Sequence, residues 1–238
     1  MTDVFSNNDY SHLENRDRYE KLYEEVGKVE ANKNIVWREC WMYYFKPHRQ
    51  SHILELGAHN GPNLFYYARQ GHYVDGVEIS STLIDTFHKN IIKEPVEVQL
   101  RAHMAKGWIE DFKPEKFYDY VLVTEVLEHV VDPVVVLKKA FESLHIGGEM
   151  YISSPEKRWG NNTHVRGIPP EDLKKWLEDI GFYISMLKVE HERTFCIAYK
   201  PISTPHLLTI NEQRAAVGLK PIESIDFMQK GTTDDNRS

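Results

Sequence analysis

Read as a pattern of apolar and polar positions, the chain alternates short apolar runs with longer amphipathic stretches. In residues 11–50 apolar positions recur at helical spacing: Leu13, Tyr19, Leu22, Tyr23 and Val26, then Ile35, Trp37, Trp41 and Met42, with Trp37 and Trp41 on one face. Lys46-Pro47-His48 breaks this segment. The runs at 53–56, 73–79, 96–100, 118–123 and 149–153 predict strands. Helical spacing predicts helices at 63–70 (Pro62 suits their first turn), at 80–93 (capped by Ser80 or Ser81), at 134–144 (ending at Gly147-Gly148) and at 171–180 (stopped by Gly181). Two last strands, 183–189 and 194–200, are joined only by the polar turn Glu190-His191-Glu192-Arg193, so they are expected to pair antiparallel at one side of the sheet. Strands alternating with helices imply βαβ units. The expected fold class is therefore α/β, with seven strands in a mainly parallel sheet, helices on both faces and one antiparallel strand. The expected organisation is a helical cap over 1–49, whose first ten residues read as disordered, a main domain over 50–200, and a tail over 201–238 punctuated by Pro201, Pro205 and Pro221.

Composition narrows the class. Of 238 residues, 41% are apolar and 27% charged, ordinary values for a soluble globular protein with a sizeable core. No apolar run approaches the roughly 20 residues that span a bilayer, and the first ten residues lack the apolar core of a signal peptide. Only Cys40 and Cys196 are present, which does not read as a disulfide framework, so a cytoplasmic location is expected. The formal charge of −7 argues against a partner held through phosphates; nucleic acid is not the expected partner. Oligomeric state leaves no signature.

The segment His52-Ile53-Leu54-Glu55-Leu56-Gly57-Ala58-His59-Asn60-Gly61-Pro62-Asn63 is a strand, a glycine-bearing turn and a helix start. Gly57 and Gly61 can take positive φ and let a ligand approach the backbone, and the helix beyond offers free N–H groups. Glu78 lies 23 residues after Glu55 at the end of the second strand, where a carboxylate can accept both hydroxyls of a ribose. A plain structural turn with an edge glutamate fits the same residues. A dinucleotide-binding G-x-G-x-x-G is absent, because His59 stands where its second glycine belongs.

At this point the chain resembles the class I S-adenosylmethionine-dependent methyltransferases, whose Rossmann-like domain opens on an acid, an apolar residue and G-x-G-x-G. Here the stretch reads Glu55-Leu56-Gly57-Ala58-His59-Asn60-Gly61, with His59 in the middle glycine's place. A second stretch, Phe117-Tyr118-Asp119-Tyr120-Val121 through Glu125-Val126-Leu127-Glu128-His129-Val130-Val131-Asp132-Pro133, resembles that of the quinone-precursor and small-molecule O-methyltransferases. The resemblance covers about residues 50–200. It implies that S-adenosylmethionine is bound by Gly57, Ala58, His59, Asn60, Gly61 and Asn63, that Glu55 organises the loop near the methionine amino group, and that Glu78 and Ile79 hold the ribose. Thr124 and Glu125 would border it at the fourth strand. The family's acid after the third strand has no counterpart; His103 and Met104 are the expected adenine contacts, and Trp108 either covers the ring or anchors the following helix.

Methyl transfer from a sulfonium needs alignment, exclusion of water and, for a hydroxyl acceptor, removal of a proton. A histidine suits that last task, which makes His129 the first candidate and His164 the second. Packing or capping by His129, and simple exposure of His164, stand as the plain alternatives. Glu125, Glu128 and His129 lie at i, i+3 and i+4; with His164 they resemble the divalent-metal set of some quinone-precursor and RNA 2′-O-methyltransferases, so Mg²⁺ is a further expectation. Lys157-Arg158-Trp159 and Arg166 read either as recognition of an anionic acceptor or as a solvated loop. Tyr19, Tyr23, Trp37, Trp41, Tyr43 and Tyr44 read as a lid over the acceptor or as packing onto the sheet. The resemblance implies methyl transfer to a small-molecule acceptor, a hydroxyl first. An amine, an RNA 2′-hydroxyl, or a non-catalytic partner subunit are the alternatives.

Overall fold

The computed structural model describes residues 15–31, 42–48, 50–159, 163–202, 211–212 and 215–216. Leu13, Ile35, Trp37, Trp41, Cys40, the first ten residues and most of the tail lie outside them. The chain divides into two compact units, Met1–Lys200 and Pro201–Ser238. In the second, Asn211, Glu212, Ala215 and Ala216 are helical.

The first unit runs α1 (Arg16–Glu30), β1 (His52–Leu56), α2 (Pro62–Arg69), β2 (Tyr73–Glu78), α3 (Ser81–Ile91), the single turn α4 (Val96–Gln99), β3 (Ala102–Lys106), β4 (Tyr118–Thr124), α5 (Pro133–Ser143), β5 (Leu144–Pro155), α6 (Pro170–Ile180), β6 (Tyr183–Glu190) and β7 (Arg193–Tyr199). The seven strands form one sheet in the order β3-β2-β1-β4-β5-β7-β6. Every strand is parallel to its neighbours except β7, which is antiparallel to both β5 and β6. The α/β class and the single antiparallel strand are as the periodicity predicts.

Both faces of the sheet are buried, and the residues alternate between them. Leu54, Val121, Val123, Met150, Ile152 and Ala198 point to one face, where α5 and α6 bring Val136, Leu137, Leu173 and Leu177. Ile53, Leu122, Tyr151 and Phe195 point to the other, where α2 and α3 bring Leu64, Phe65 and Phe87. Continuous apolar strands are what a sheet covered on both sides requires. The helix ends follow local chemistry. Ser80 Oγ caps α3 by accepting from Leu83 N, Asp132 caps α5 by accepting from Val134 N, and Gly181 ends α6 in the left-handed region.

Two expectations are corrected. Residues 96–100 form no strand: Val96 and Leu100 face solvent and only Val98 is buried, so a turn after Pro95 wins and the third strand is 102–106. The helix expected to run to 144 stops at Ser143, because Leu144 already pairs with Tyr118 as the first residue of β5; Gly147 lies inside that strand.

Gly76 marks the tightest crossing of helix over sheet. A Cβ there would lie 2.7 Å from Ala58 Cβ and 2.9 Å from Leu64 Cδ2, both fully buried. Gly76→Ala is expected to cost about 1–3 kcal/mol, the range for overpacking a close-packed interior, read as a lower urea midpoint with unchanged slope. An unchanged midpoint would contradict this packing.

Candidate functional site

The carboxyl ends of β1, β2, β3 and β4 surround a cavity of about 580 Å³, within the range of small-molecule sites. The chain leaves β1 through Gly57, whose φ is +77 and whose missing Cβ would sit 2.5 Å from Val126 Cγ2. The Gly57 and Ala58 N–H groups both donate to the Val77 carbonyl, at 2.9 and 3.0 Å, which turns the loop across the end of β2.

Glu78 closes β2 and is only 7% exposed. Its Oε2 accepts from His59 N at 2.8 Å, and its Oε1 from Ile79 N and Ser80 N, each at 2.9 Å. One carboxylate thus ties the loop after β1 to the start of α3. Glu55 is fully buried; its Oε1 accepts from Asn63 Nδ2 at 2.7 Å and Thr124 Oγ1 at 3.2 Å, so it clamps the strand ends from below.

Beyond β4 the chain again takes a positive φ, +54 at Glu125. The Glu125 carboxylate pairs with Arg193 from β7, with Nε 3.2 Å from both oxygens and Nη2 3.1 Å from Oε2, and accepts from Ser153 Oγ at 3.1 Å. The Arg193 guanidinium lies 4.2 Å from the centre of the Trp159 ring. Next to this pair, Glu128, His129 and His164 converge, with one possible ligand atom from each within 4.8 Å of the others. Glu128 accepts from Ser154 Oγ at 2.6 Å. His129 Nδ1 lies 3.0 Å from the Thr163 carbonyl, so Nδ1 carries the proton; Nε2 is 3.8 Å from Glu128 Oε1. His164 is 6% exposed, its Nδ1 has no hydrogen-bond partner among the described residues, and its ring meets that of His129 edge-on at 4.6 Å. Burial first, then the Arg193 and Arg158 charges, push its pKa down to about 4.

Helix α1 roofs the cavity with Tyr19, Tyr23, Val26 and Glu30, one stripe of its surface. Tyr19 donates to the His129 carbonyl at 3.2 Å and stacks on Tyr23, with ring centres 4.6 Å apart. Trp108 donates to Glu20 at 2.6 Å and lies between Tyr19 and Arg16.

Of the residues expected from sequence, Gly57, His59, Glu78, Ile79, Glu125, Glu128, His129 and His164 line the cavity, as does Trp108. Glu55, Ala58, Asn60, Gly61, Asn63 and Thr124 stand behind it as structure. Gly61 caps α2 at φ +82, where a Cβ would strike Phe87. His103 and Met104 are corrections. They lie within β3, because that strand starts at 102; His103 points out toward Asp75, 3.5 Å away, and Met104 packs near Gly61. The strand's true carboxyl end brings Gly107 to Glu110 to the cavity instead. Glu125 leaves the expected metal set, because Arg193 engages its carboxylate. The remaining donors, two imidazoles and one carboxylate, do not suit Mg²⁺, which prefers oxygen; they suit a borderline ion. Arg158 and Arg166 turn to the His164 and Val131 carbonyls. Tyr44 packs on Phe195 and Glu190, away from the cavity. Sequence reasoning missed Glu30 and Arg193; for Arg193 the one signal was a charge opening an otherwise apolar strand.

Comparison with known proteins identifies the family and the fold. The methyltransferase-domain family model matches residues 18–185. A ubiquinone biosynthesis O-methyltransferase from Chelativorans sp. is 26% identical over 177 residues, 66% of each chain. A tRNA U34 carboxymethyltransferase from Shewanella amazonensis is 26% identical over 61% of this chain and 49% of its own. The matches thus span less than two thirds of these relatives. Among solved structures, the glycopeptide N-methyltransferase MtfA complexed with S-adenosyl-L-methionine is similar in fold, with a TM-score of 0.55 and 18% identity over 74% of this chain and 94% of its own. With strand order, glycine loop and family model in agreement, the chain belongs to the class I S-adenosylmethionine-dependent methyltransferases.

Proposed function

We propose that the protein transfers a methyl group from S-adenosylmethionine to a hydroxyl of a small-molecule acceptor, with His129 as general base. The observation that carries this reading is one continuous cavity running from Gly57, Glu78 and Trp108 to His129 and His164. The donor takes the first half, with Glu78 toward the ribose and the Gly107–Glu110 stretch toward the adenine. The acceptor takes the second half, under Tyr23 and beside Trp159. The net charge of −7 and the helix roofing the cavity favour a small acceptor over a polynucleotide. No helix among the described residues is long and apolar enough to cross a membrane.

The two histidines divide the work. Thr163 orients His129 so that a lone pair remains on Nε2, the arrangement a base requires. A histidine with its pKa near 4 is neutral at pH 7 but a weak proton acceptor, so His164 contacts the acceptor or a metal and does not remove the proton. Its partnerless, buried Nδ1 is the observation that favours a borderline divalent ion on Glu128, His129 and His164. When bound, such an ion would take the Nε2 lone pair of His129 and polarise the acceptor oxygen itself, so activation of the hydroxyl would pass from His129 to the ion.

His129→Ala is expected to lower kcat by roughly 10²-fold or more while S-adenosylhomocysteine affinity holds, and Glu78→Ala to weaken that affinity by about 1–3 kcal/mol in calorimetry. The reverse pattern would exchange their roles. Prolonged EDTA treatment is expected to lower activity, with zinc or manganese restoring it better than magnesium; full activity in metal-free protein would dispose of the ion. His164 also leaves a signature in stability. Its folded pKa lies below the unfolded 6.5, so its neutral form favours folding fully above pH 6.5, and stability falls as pH drops toward 4, by up to about 3 kcal/mol. Urea unfolding of His164→Gln should lose less stability between pH 7 and 4.5 than the parent. Parallel losses in the two proteins would show that another group is responsible.

A further inference from the structure

His59 stands where this family's loop has its middle glycine, and it adopts φ +55, a conformation that costs a side-chain-bearing residue about 1–2 kcal/mol. Such strain persists where the side chain has a task that glycine cannot perform. The backbone N–H of His59 is held by Glu78, and its ring Nδ1 lies 3.1 Å from Asn60 Oδ1. Its Nε2 lies 4.0 Å from Glu30 Oε2 at the end of α1. Both side chains line the cavity and both are mostly buried, with His59 13% and Glu30 22% exposed.

The rest of α1 is anchored elsewhere. Glu24 accepts from the backbone N–H groups of Ser81 and Thr82 at the start of α3 and from the Thr82 hydroxyl. Gly27 lets the two helices touch, since a Cβ there would lie 2.3 Å from Ser80 Oγ. The last turn of α1, beyond Gly27, meets the glycine loop through Glu30.

We propose that His59 and Glu30 form a clasp that closes the end of α1 over the donor half of the cavity and sets how long the nucleoside donor is retained. The proposal rests on the methyltransferase reading above. The imidazole gives the loop a group that reaches the roof, where glycine would leave a gap; closing that gap raises the barrier to donor escape and keeps water from the sulfonium.

Stopped-flow and calorimetric binding of S-adenosylhomocysteine to the full chain tests this with His59→Gly, Glu30→Gln and the double variant. Each single change is expected to raise the dissociation rate and Kd roughly fivefold, a typical weight for a partly buried ion pair, and the double variant to be no weaker than the weaker single. His59→Gly removes backbone strain, so its melting temperature should not fall, and weaker binding cannot be assigned to a damaged fold. Unchanged dissociation, or effects of the two singles that simply add, would overturn the clasp. Failure of the parent protein to bind S-adenosylhomocysteine at millimolar concentration is a separate outcome, and it would overturn the methyltransferase reading together with the clasp.

Discussion

The site depends on one constraint, the reversal of strand order between β1 and β4. From β1 the chain works outward to β2 and β3 at one edge, then returns to β4 and builds toward the other. Connections on the two sides therefore leave to opposite faces, and a crevice opens above the carboxyl ends of the two central strands. Their loops must leave steeply, which is why positive φ angles occur at Gly57, His59 and Glu125. Glycine meets that demand without strain. Glu125 does not, and its conformation is held by Arg193 and Ser153 from the strands on the far side of the crevice.

The same crevice collects buried charge. Glu55, Glu78, Glu125 and Glu128 are each less than 9% exposed, and a bare carboxylate in such surroundings would cost several kcal/mol. The structure meets this cost differently at each one. Glu55 takes an amide and a hydroxyl, Glu78 takes three backbone N–H groups, Glu128 takes a hydroxyl, and Glu125 takes a guanidinium and a hydroxyl. Glu30 and Glu110 add two more acids to the cavity wall. A cavity with this balance favours a ligand that brings positive charge, and a sulfonium donor does.

The roof follows from the same arrangement. Tyr19, Tyr23, Val26 and Glu30 are separated by four, three and four residues, so a regular helix presents them all downward. The opposite requirement, a polar anchor at the helix edge, is met by Glu20 on Trp108 and Glu24 on the start of α3. A carboxylate at a helix N-terminus is favourable for the dipole as well as for the hydrogen bonds, so Glu24 holds α1 to the element that begins directly after Glu78. The loop after β1 and the roof therefore share one anchor point, residues 78–82.

This division also explains what the sequence reveals and what it conceals. Periodicity reports elements whose burial is decided locally, so six of the seven strands and four of the main-domain helices could be located from it, with ends set by Ser80, Pro62 and Gly181. It failed at 96–100, where β-branched residues sit in a mostly solvent-facing turn and the strand that matters, Ala-His-Met-Ala-Lys, has no β-branched or aromatic residue. That single error put His103 and Met104, rather than Gly107–Glu110, at the strand's carboxyl end. Partners far apart in sequence were equally hidden. Arg193 meets Glu125 across 68 residues, and nothing local to either predicts the pair, yet it engages the Glu125 carboxylate, which stands outside the cluster of Glu128, His129 and His164. Motif matching placed Glu125, Glu128 and His129 together because a helical turn would align them. The chain does not make a helical turn there: φ at Glu125 is +54, which swings its carboxylate toward β7 and leaves Glu128 and His129 to meet His164 instead.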